Sequence, residues 1–109
     1  MAIGKYEAVW LFVGFDLPTL SKEDRKRANS FRKELLDNGF VMFQLSFYSR
    51  YFPSKQQALS IANKVKSIVP INGKVSVFYI TDMQYSMIET FYGGREIENT
   101  IPESAILLD

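Results

Sequence analysis

The chain has 109 residues, of which 47% are hydrophobic and 15% aromatic, with a formal net charge of +1; this bounds it to one domain around a single core of modest size. It has no cysteine and no histidine, which excludes a disulfide framework, a thiol nucleophile, a thiolate metal site and the commonest general base and zinc ligand. Hydrolysis, if there is any, draws on carboxylates, a hard cation, hydroxyls or an amine.

The first element is Ala8–Asp16, AVWLFVGFD, nearly all apolar and too short for a helix, which predicts a strand covered on both faces. Pro18 ends it, having no amide proton for a ladder. Ser21 opens a helix with Asp24 as the far side of a capping box. Ala28, Phe31, Leu35 and Leu36 form its apolar stripe, Lys26, Ser30, Lys33 and Asp37 the opposite face, and Arg25 and Arg32 flank the stripe. Asn38-Gly39 stops it. Phe40–Phe52 is strand-like but long, so a bulge or bend near Gln44–Ser46 is expected to divide it. Along it Leu45 and Phe47 fall on one face, and Gln44, Ser46, Tyr48 and Arg50 on the other. Ser54 and Gln57 form a capping box for a second helix, with Ala58, Ile61, Ala62, Val65, Ile68 and Val69 at helical spacing. Pro70 ends that helix, Asn72-Gly73 is a turn, and Lys74–Thr81 is a strong strand. A short strand is read over Gln84–Tyr92, broken by Gly93-Gly94.

The order β-α-β(β)-α-β-β is the ferredoxin-like split βαβ pattern: an α+β fold, βαββαβ with an extra C-terminal strand, on an antiparallel sheet with both helices on one face. The domain is expected over residues 1–94. An acidic tail follows over 95–109, whose Ile106-Leu107-Leu108 could add a strand to a partner. The first strand is apolar on both faces, Trp10 and Phe12 against Val9, Leu11, Val13 and Phe15, and Val75, Val77 and Tyr79 oppose Phe78 and Ile80 in the same way. Two helices cover only one face, and a bare apolar sheet exceeds what a monomer usually exposes. A homodimer, sheet against sheet, is therefore expected. No apolar run reaches the roughly 18 residues of a membrane span, and Met1–Glu7 lacks a secretory pattern, so no membrane partner and a cytoplasmic location are expected.

The small net charge hides an asymmetry. Residues 22–74 carry eleven Lys and Arg against four acids, whereas residues 82–109 carry six acids against Arg95 alone. A basic body suits a polyanion, and equally an ordinary solvated helix surface. Lys22, Arg25, Lys26, Arg27 and Lys33 on the first helix are candidate phosphate contacts, which give affinity without sequence specificity. Tyr48 and Arg50 could meet nucleic acid or lie in a dimer seam. Asp16 is the sharpest signal, an ionisable residue at the end of an apolar strand. It is either a turn carboxylate before Pro18 or, doubled by a two-fold axis, a pair of carboxylates suited to Mg²⁺. Phe91-Tyr92-Gly93-Gly94 lacks the spacing of a phosphate loop and reads as a turn.

LFVGFDLPT at 11–19, FRKELLDNGF at 31–40, QLSFYSRY at 44–51 and GKVSVFYITDMQY at 73–85 together closely resemble the CRISPR-associated protein 2 family, the small subunit of spacer-acquisition machinery, most of all members from systems with a single large effector nuclease. The resemblance covers residues 8–94. It implies a ferredoxin-like homodimer working with the CRISPR-associated protein 1 integrase, with double-stranded spacer-precursor DNA laid across it. It also implies a Mg²⁺-dependent endonuclease activity on RNA or DNA, with Mn²⁺ as a substitute ion. The family's metal aspartate falls on Asp16, its neighbouring aromatic on Phe15, and its aromatic after the Gln-x-Ser motif on Tyr48. Many members have Arg where this chain has Met42, a cation that could stabilise charge developing on phosphorus; scaffolding of DNA needs only backbone contacts. Three readings stand: a nucleic-acid scaffold, a metal-dependent endonuclease, and a ferredoxin-like RNA- or ligand-binding domain without nuclease activity.

Overall fold

A computed structural model of the chain describes residues 3–94. The tail 95–109, with its expected partner-binding strand, lies outside the described residues. Four strands, β1 (Val9–Asp16), β2 (Val41–Gln44), β3 (Phe47–Phe52) and β4 (Lys74–Thr81), form one sheet in the order β2-β3-β1-β4. Each neighbouring pair is antiparallel. Helices α1 (Lys22–Asp37) and α2 (Lys55–Ser67) connect the strands, and a short helix α3 (Asp82–Ser86) follows β4. This is the ferredoxin-like arrangement expected from the element order.

The two-residue period of β1 decides where the core lies. Val9, Leu11, Val13 and Phe15 are buried with Phe31 and Leu35 of α1 and with Ala58 and Val65 of α2. Each fully buried side chain of this size contributes about 1.5–3 kcal/mol relative to exposure. Helix α1 begins as its residues dictate: the Ser21 hydroxyl accepts from the Asp24 amide at 2.9 Å, and the Asp24 carboxylate accepts from the Ser21 amide. Leu36, read as part of the stripe, is 53% exposed, because 3.6 residues per turn rotate it off the contact line set by Phe31 and Leu35. Gly39 has φ +84° and passes Arg50 so closely that a Cβ there would stand 3.3 Å from the guanidinium carbon; both features favour glycine.

The long second strand divides where expected. Leu45 and Ser46 form the turn, Ser46 takes φ 63°, and the ladder slips between Met42 and Gln44. The capping box of α2 is only half formed. Ser54 accepts from the Gln57 amide, but the amides of Lys55 and Gln56 donate instead to the carbonyls of Glu7 and Lys5, so the N-terminal segment completes the cap.

The strand expected over Gln84–Tyr92 is not formed. Asp82–Ser86 is helical, with no regular element from Met87 to Gly94. The physical reason is a complete capping box: Thr81 accepts from the Gln84 amide, and the Gln84 side chain accepts from the Thr81 amide. That start signal turns the chain out of β4. Helix α3 folds onto the sheet face away from α1 and α2. There the Tyr85 ring stacks on Trp10 with centroids 3.6 Å apart and planes 5° apart, and the Trp10 indole donates to Asp82 at 2.9 Å.

Candidate functional site

The sheet face without α1 and α2 has two parts. At the Trp10 end, Tyr85 covers β1, and Phe12 is only 2% exposed among Phe43, Phe47 and Tyr85. Farther along, Phe12, Phe43, Phe47, Phe78, Ile80 and Ile88 enclose a wholly apolar hollow of about 290 Å³. Phe78 remains 48% exposed.

Asp16 ends β1 on this same face and is exposed. Alternation along the strand puts Gly14 beside it and Phe15 on the other side of the sheet. In the register of β1 with β4, Asp16 faces Lys74 and Gly14 faces Ser76. These four residues, with Phe15, Phe47 and Phe78, border a second hollow of about 290 Å³. Its floor is open because Gly14 has no side chain; a Cβ there would lie 3.2 and 3.3 Å from Phe47 ring carbons. The ion pairs among the described residues are Arg27–Asp24 and Lys33–Asp37. Among the described residues neither pair includes Asp16 or Lys74, which stand at the rim of the hollow.

The other candidate residues lie elsewhere. Phe15 and Tyr48 are core residues, 8% and 2% exposed, with ring centroids 5.6 Å apart and Phe15 edge-on to Phe31. The structure therefore separates them from Asp16 by the thickness of the sheet, and Tyr48 does not occupy the exposed position considered for it. A two-residue period fixes this: Tyr48 shares the helix-side face with Val13, its partner across the ladder. Arg50 does share that face, but its guanidinium donates to the Asn38 carbonyl beyond the end of α1 and lies 4.5 Å from the Phe52 ring. Met42 packs against the core.

Three of the candidate basic residues of α1 are committed within the helix or to the loop just before it. Arg25 donates to the carbonyls of Thr19 and Leu20. Arg27 pairs with Asp24 at 3.3 Å and Lys33 with Asp37 at 3.0 Å. The Asp37 contact raises the pKa of Lys33 above the ordinary lysine value. Lys22 and Lys26 are exposed and enter neither ion pair. Residues 38–81 contain no Asp or Glu, so Lys64 and Lys66, exposed near the end of α2, have no acidic neighbour within that whole stretch of sequence.

For a metal ion the donor set is spare. Among the described residues no three His, Cys, Asp or Glu side chains gather. Asp16 offers one exposed carboxylate beside its hollow, which fits a hydrated hard cation better than a fully protein-ligated one. Lys74 and Ser76 escape sequence reading because their relation to Asp16 exists only through the β1–β4 register. A signal was present in the alternation of KVSVFYIT, which puts Lys74 and Ser76 on one face with Phe78.

The family described as CRISPR associated protein Cas2 matches residues 9–88. A CRISPR-associated endoribonuclease Cas2 from Flavobacterium psychrophilum is 41% identical over 106 residues, covering 97% of this chain and 92% of the relative. One of the same name from Paracidovorax avenae is 42% identical over 88 residues, covering 81% of this chain and 82% of the relative. The crystal structure of Streptococcus pyogenes Cas2 at pH 6.5 superposes with a TM-score of 0.58 at 16% identity, over 76% of this chain and 99% of that one; it is a likeness of fold. Among the described residues no helix is long and apolar enough to cross a membrane.

Proposed function

The chain belongs to the CRISPR-associated protein 2 family, and from that premise we propose that it is a homodimeric, nucleic-acid-binding subunit of CRISPR spacer acquisition with a phosphodiester site at Asp16. Its partner in this reading is the CRISPR-associated protein 1 integrase, and its cargo is double-stranded spacer-precursor DNA. Single-stranded RNA is a second substrate, in keeping with the endoribonuclease name of the relatives. The acidic tail is the segment proposed to meet the integrase.

The observation that carries the reading is the sheet face opposite α1 and α2, open around Phe78 among the described residues, with Asp16 at its edge. The apolar hollow around Phe78 calls for a cover, and a second copy supplies one with matched chemistry. Packed about a two-fold axis, the same face brings a second Asp16 carboxylate. Asp16 is the residue that would hold Mg²⁺ or Mn²⁺; the ion, when bound, would lower the pKa of a bound water and offset phosphate charge. Cleavage is hydrolysis: water oxygen joins phosphorus, the ester oxygen leaves and takes up a proton, and no redox partner is needed. Phe15 and Tyr48 act in this scheme by holding the end of β1, not by touching substrate. Phe15 does so twice, through its ring in the core and through its amide, which donates to the Ser46 carbonyl at 3.0 Å. Lys22, Lys26 and the α2 lysines supply backbone contacts to nucleic acid.

The test is Asp16→Ala in the full chain. It should abolish Mg²⁺-dependent cleavage while leaving dimer formation and co-elution with the integrase intact. Loss of assembly instead would make Asp16 a structural carboxylate and remove the site.

A further inference from the structure

We propose that Lys74, aided by the Ser76 hydroxyl, is the phosphate-holding half of the Asp16 site, receiving a non-bridging oxygen of a nucleic-acid phosphodiester. The inference deepens the reading of Asp16 given above and rests on it.

Geometry comes first. Asp16 and Lys74 are directly opposed across an antiparallel ladder, as are Gly14 and Ser76. Opposed residues share a face, with Cβ atoms roughly 4.5–5.5 Å apart. The two charges therefore rise from neighbouring points on one rim. No Asp16–Lys74 contact falls within ion-pair distance. Between and below them lies the hollow that Gly14 leaves open, walled by Phe47 and Phe78. A glycine inside a strand commonly marks the close approach of a ligand or of another backbone.

Electrostatics then narrows the ligand. A lone anion entering the hollow is attracted by Lys74 and repelled by Asp16. A lone cation meets the opposite pair of forces. A phosphodiester accompanied by a hydrated divalent cation satisfies both, with the cation toward Asp16 and the phosphate oxygen toward Lys74. Among the described residues Lys74 is the one cation bordering this hollow, and an ammonium suits a point contact to phosphate. The exposed Ser76 hydroxyl supplies a neutral donor to the same oxygen. The competing explanation is that β4 is an edge strand and an edge lysine discourages strand pairing. That function needs a charge at the edge but neither Ser76 nor the Gly14 floor.

The experiment uses the full-length protein and a fluorescein-labelled single-stranded RNA twelve-mer. Binding is followed by anisotropy across a salt series with Ca²⁺ in place of Mg²⁺, and cleavage is followed separately with Mg²⁺. The variants are Lys74→Met, Lys74→Arg and Asp16→Asn, each checked for unchanged melting temperature. Lys74→Met should reduce the slope of log affinity against log salt by about 0.7 per lost contact and slow cleavage about a hundredfold. Lys74→Arg should keep the wild-type slope. A Lys74→Met protein with the wild-type slope overturns the proposal, whatever its cleavage rate. If wild type binds with the expected slope but cleaves nothing, the nuclease reading of Asp16 fails, and the slope of Lys74→Met still decides the role of Lys74. If wild type shows no salt-dependent binding, both fall.

Discussion

Tyr85→Ala tests whether α3 is held on the sheet by the Trp10 stack. Five residues are too few for a helix to persist alone in water, so α3 depends on its attachments. These are the Thr81–Gln84 capping box, the Trp10–Asp82 hydrogen bond and the Tyr85 ring, which lies 3.6 Å from Trp10 and 6.2 Å from Phe12 by centroids. Removing the ring forfeits an aromatic pair, about 0.5–1.5 kcal/mol. Tyr85 is half-buried, so its lost apolar burial adds about 1 kcal/mol. The sum is near 2 kcal/mol, or roughly a thirtyfold shift toward the undocked form. The chain has one tryptophan, which makes the assay specific: the emission of Trp10 should move to longer wavelength, and the amides of 82–88 should exchange faster by a similar factor. Unchanged emission together with unchanged exchange would refute the argument, because it would show that the cap and the hydrogen bond hold α3 without the stack.

Two further outcomes are expected. Phe78→Glu places a charge in the apolar hollow on the face opposite α1 and α2 and should weaken the proposed dimer at least a hundredfold, equivalent to about 3 kcal/mol, with far-ultraviolet circular dichroism unchanged; a variant that sediments as the wild-type protein does would contradict an interface on this face. Burial raises the pKa of Tyr79, so the folded state favours the neutral phenol. That contribution to stability is complete below the free-tyrosine value of about 10 and is lost as pH rises through the raised folded value. Tyr79→Phe should remove that share of the alkaline decline in denaturation midpoint, and a decline identical to wild type would contradict it.

Most of the fold was legible because its signals are local. Ser21 with Asp24 and Pro18 before them bracket the start of α1 without reference to anything distant. The period of two in VWLFVGFD makes a strand with two apolar faces, whichever strands lie beside it. The failure at Gln84–Tyr92 has an equally local cause. Thr81 and Gln84 stand at capping-box spacing, a signal that the reading of Gln84–Tyr92 as a strand leaves unused, because Thr81 also ends the alternation of β4. Stability of a five-residue helix comes from Trp10, 75 positions earlier than Tyr85, a contact that no window of neighbouring residues contains.

The site divides along the same line. Phe15 and Asp16 are adjacent in sequence, and adjacency suggests a shared site, yet consecutive strand residues point to opposite faces. Any influence of Phe15 on chemistry at Asp16 must therefore pass through the backbone, by fixing where β1 ends. Tyr48 belongs to the same support: it packs on Phe15 and sits across the ladder from Val13. Lys74 has the reverse relation to Asp16, remote in sequence and opposite it in the sheet. A one-residue slip of β4 against β1 would turn Lys74 and Ser76 to the helix side and bring Val75 and Val77 to the rim. The register that packs Val75 and Tyr79 against the core is thus the same register that sets Lys74 opposite Asp16, so the packing of β4 and the charge pattern at the end of β1 are set by one structural choice.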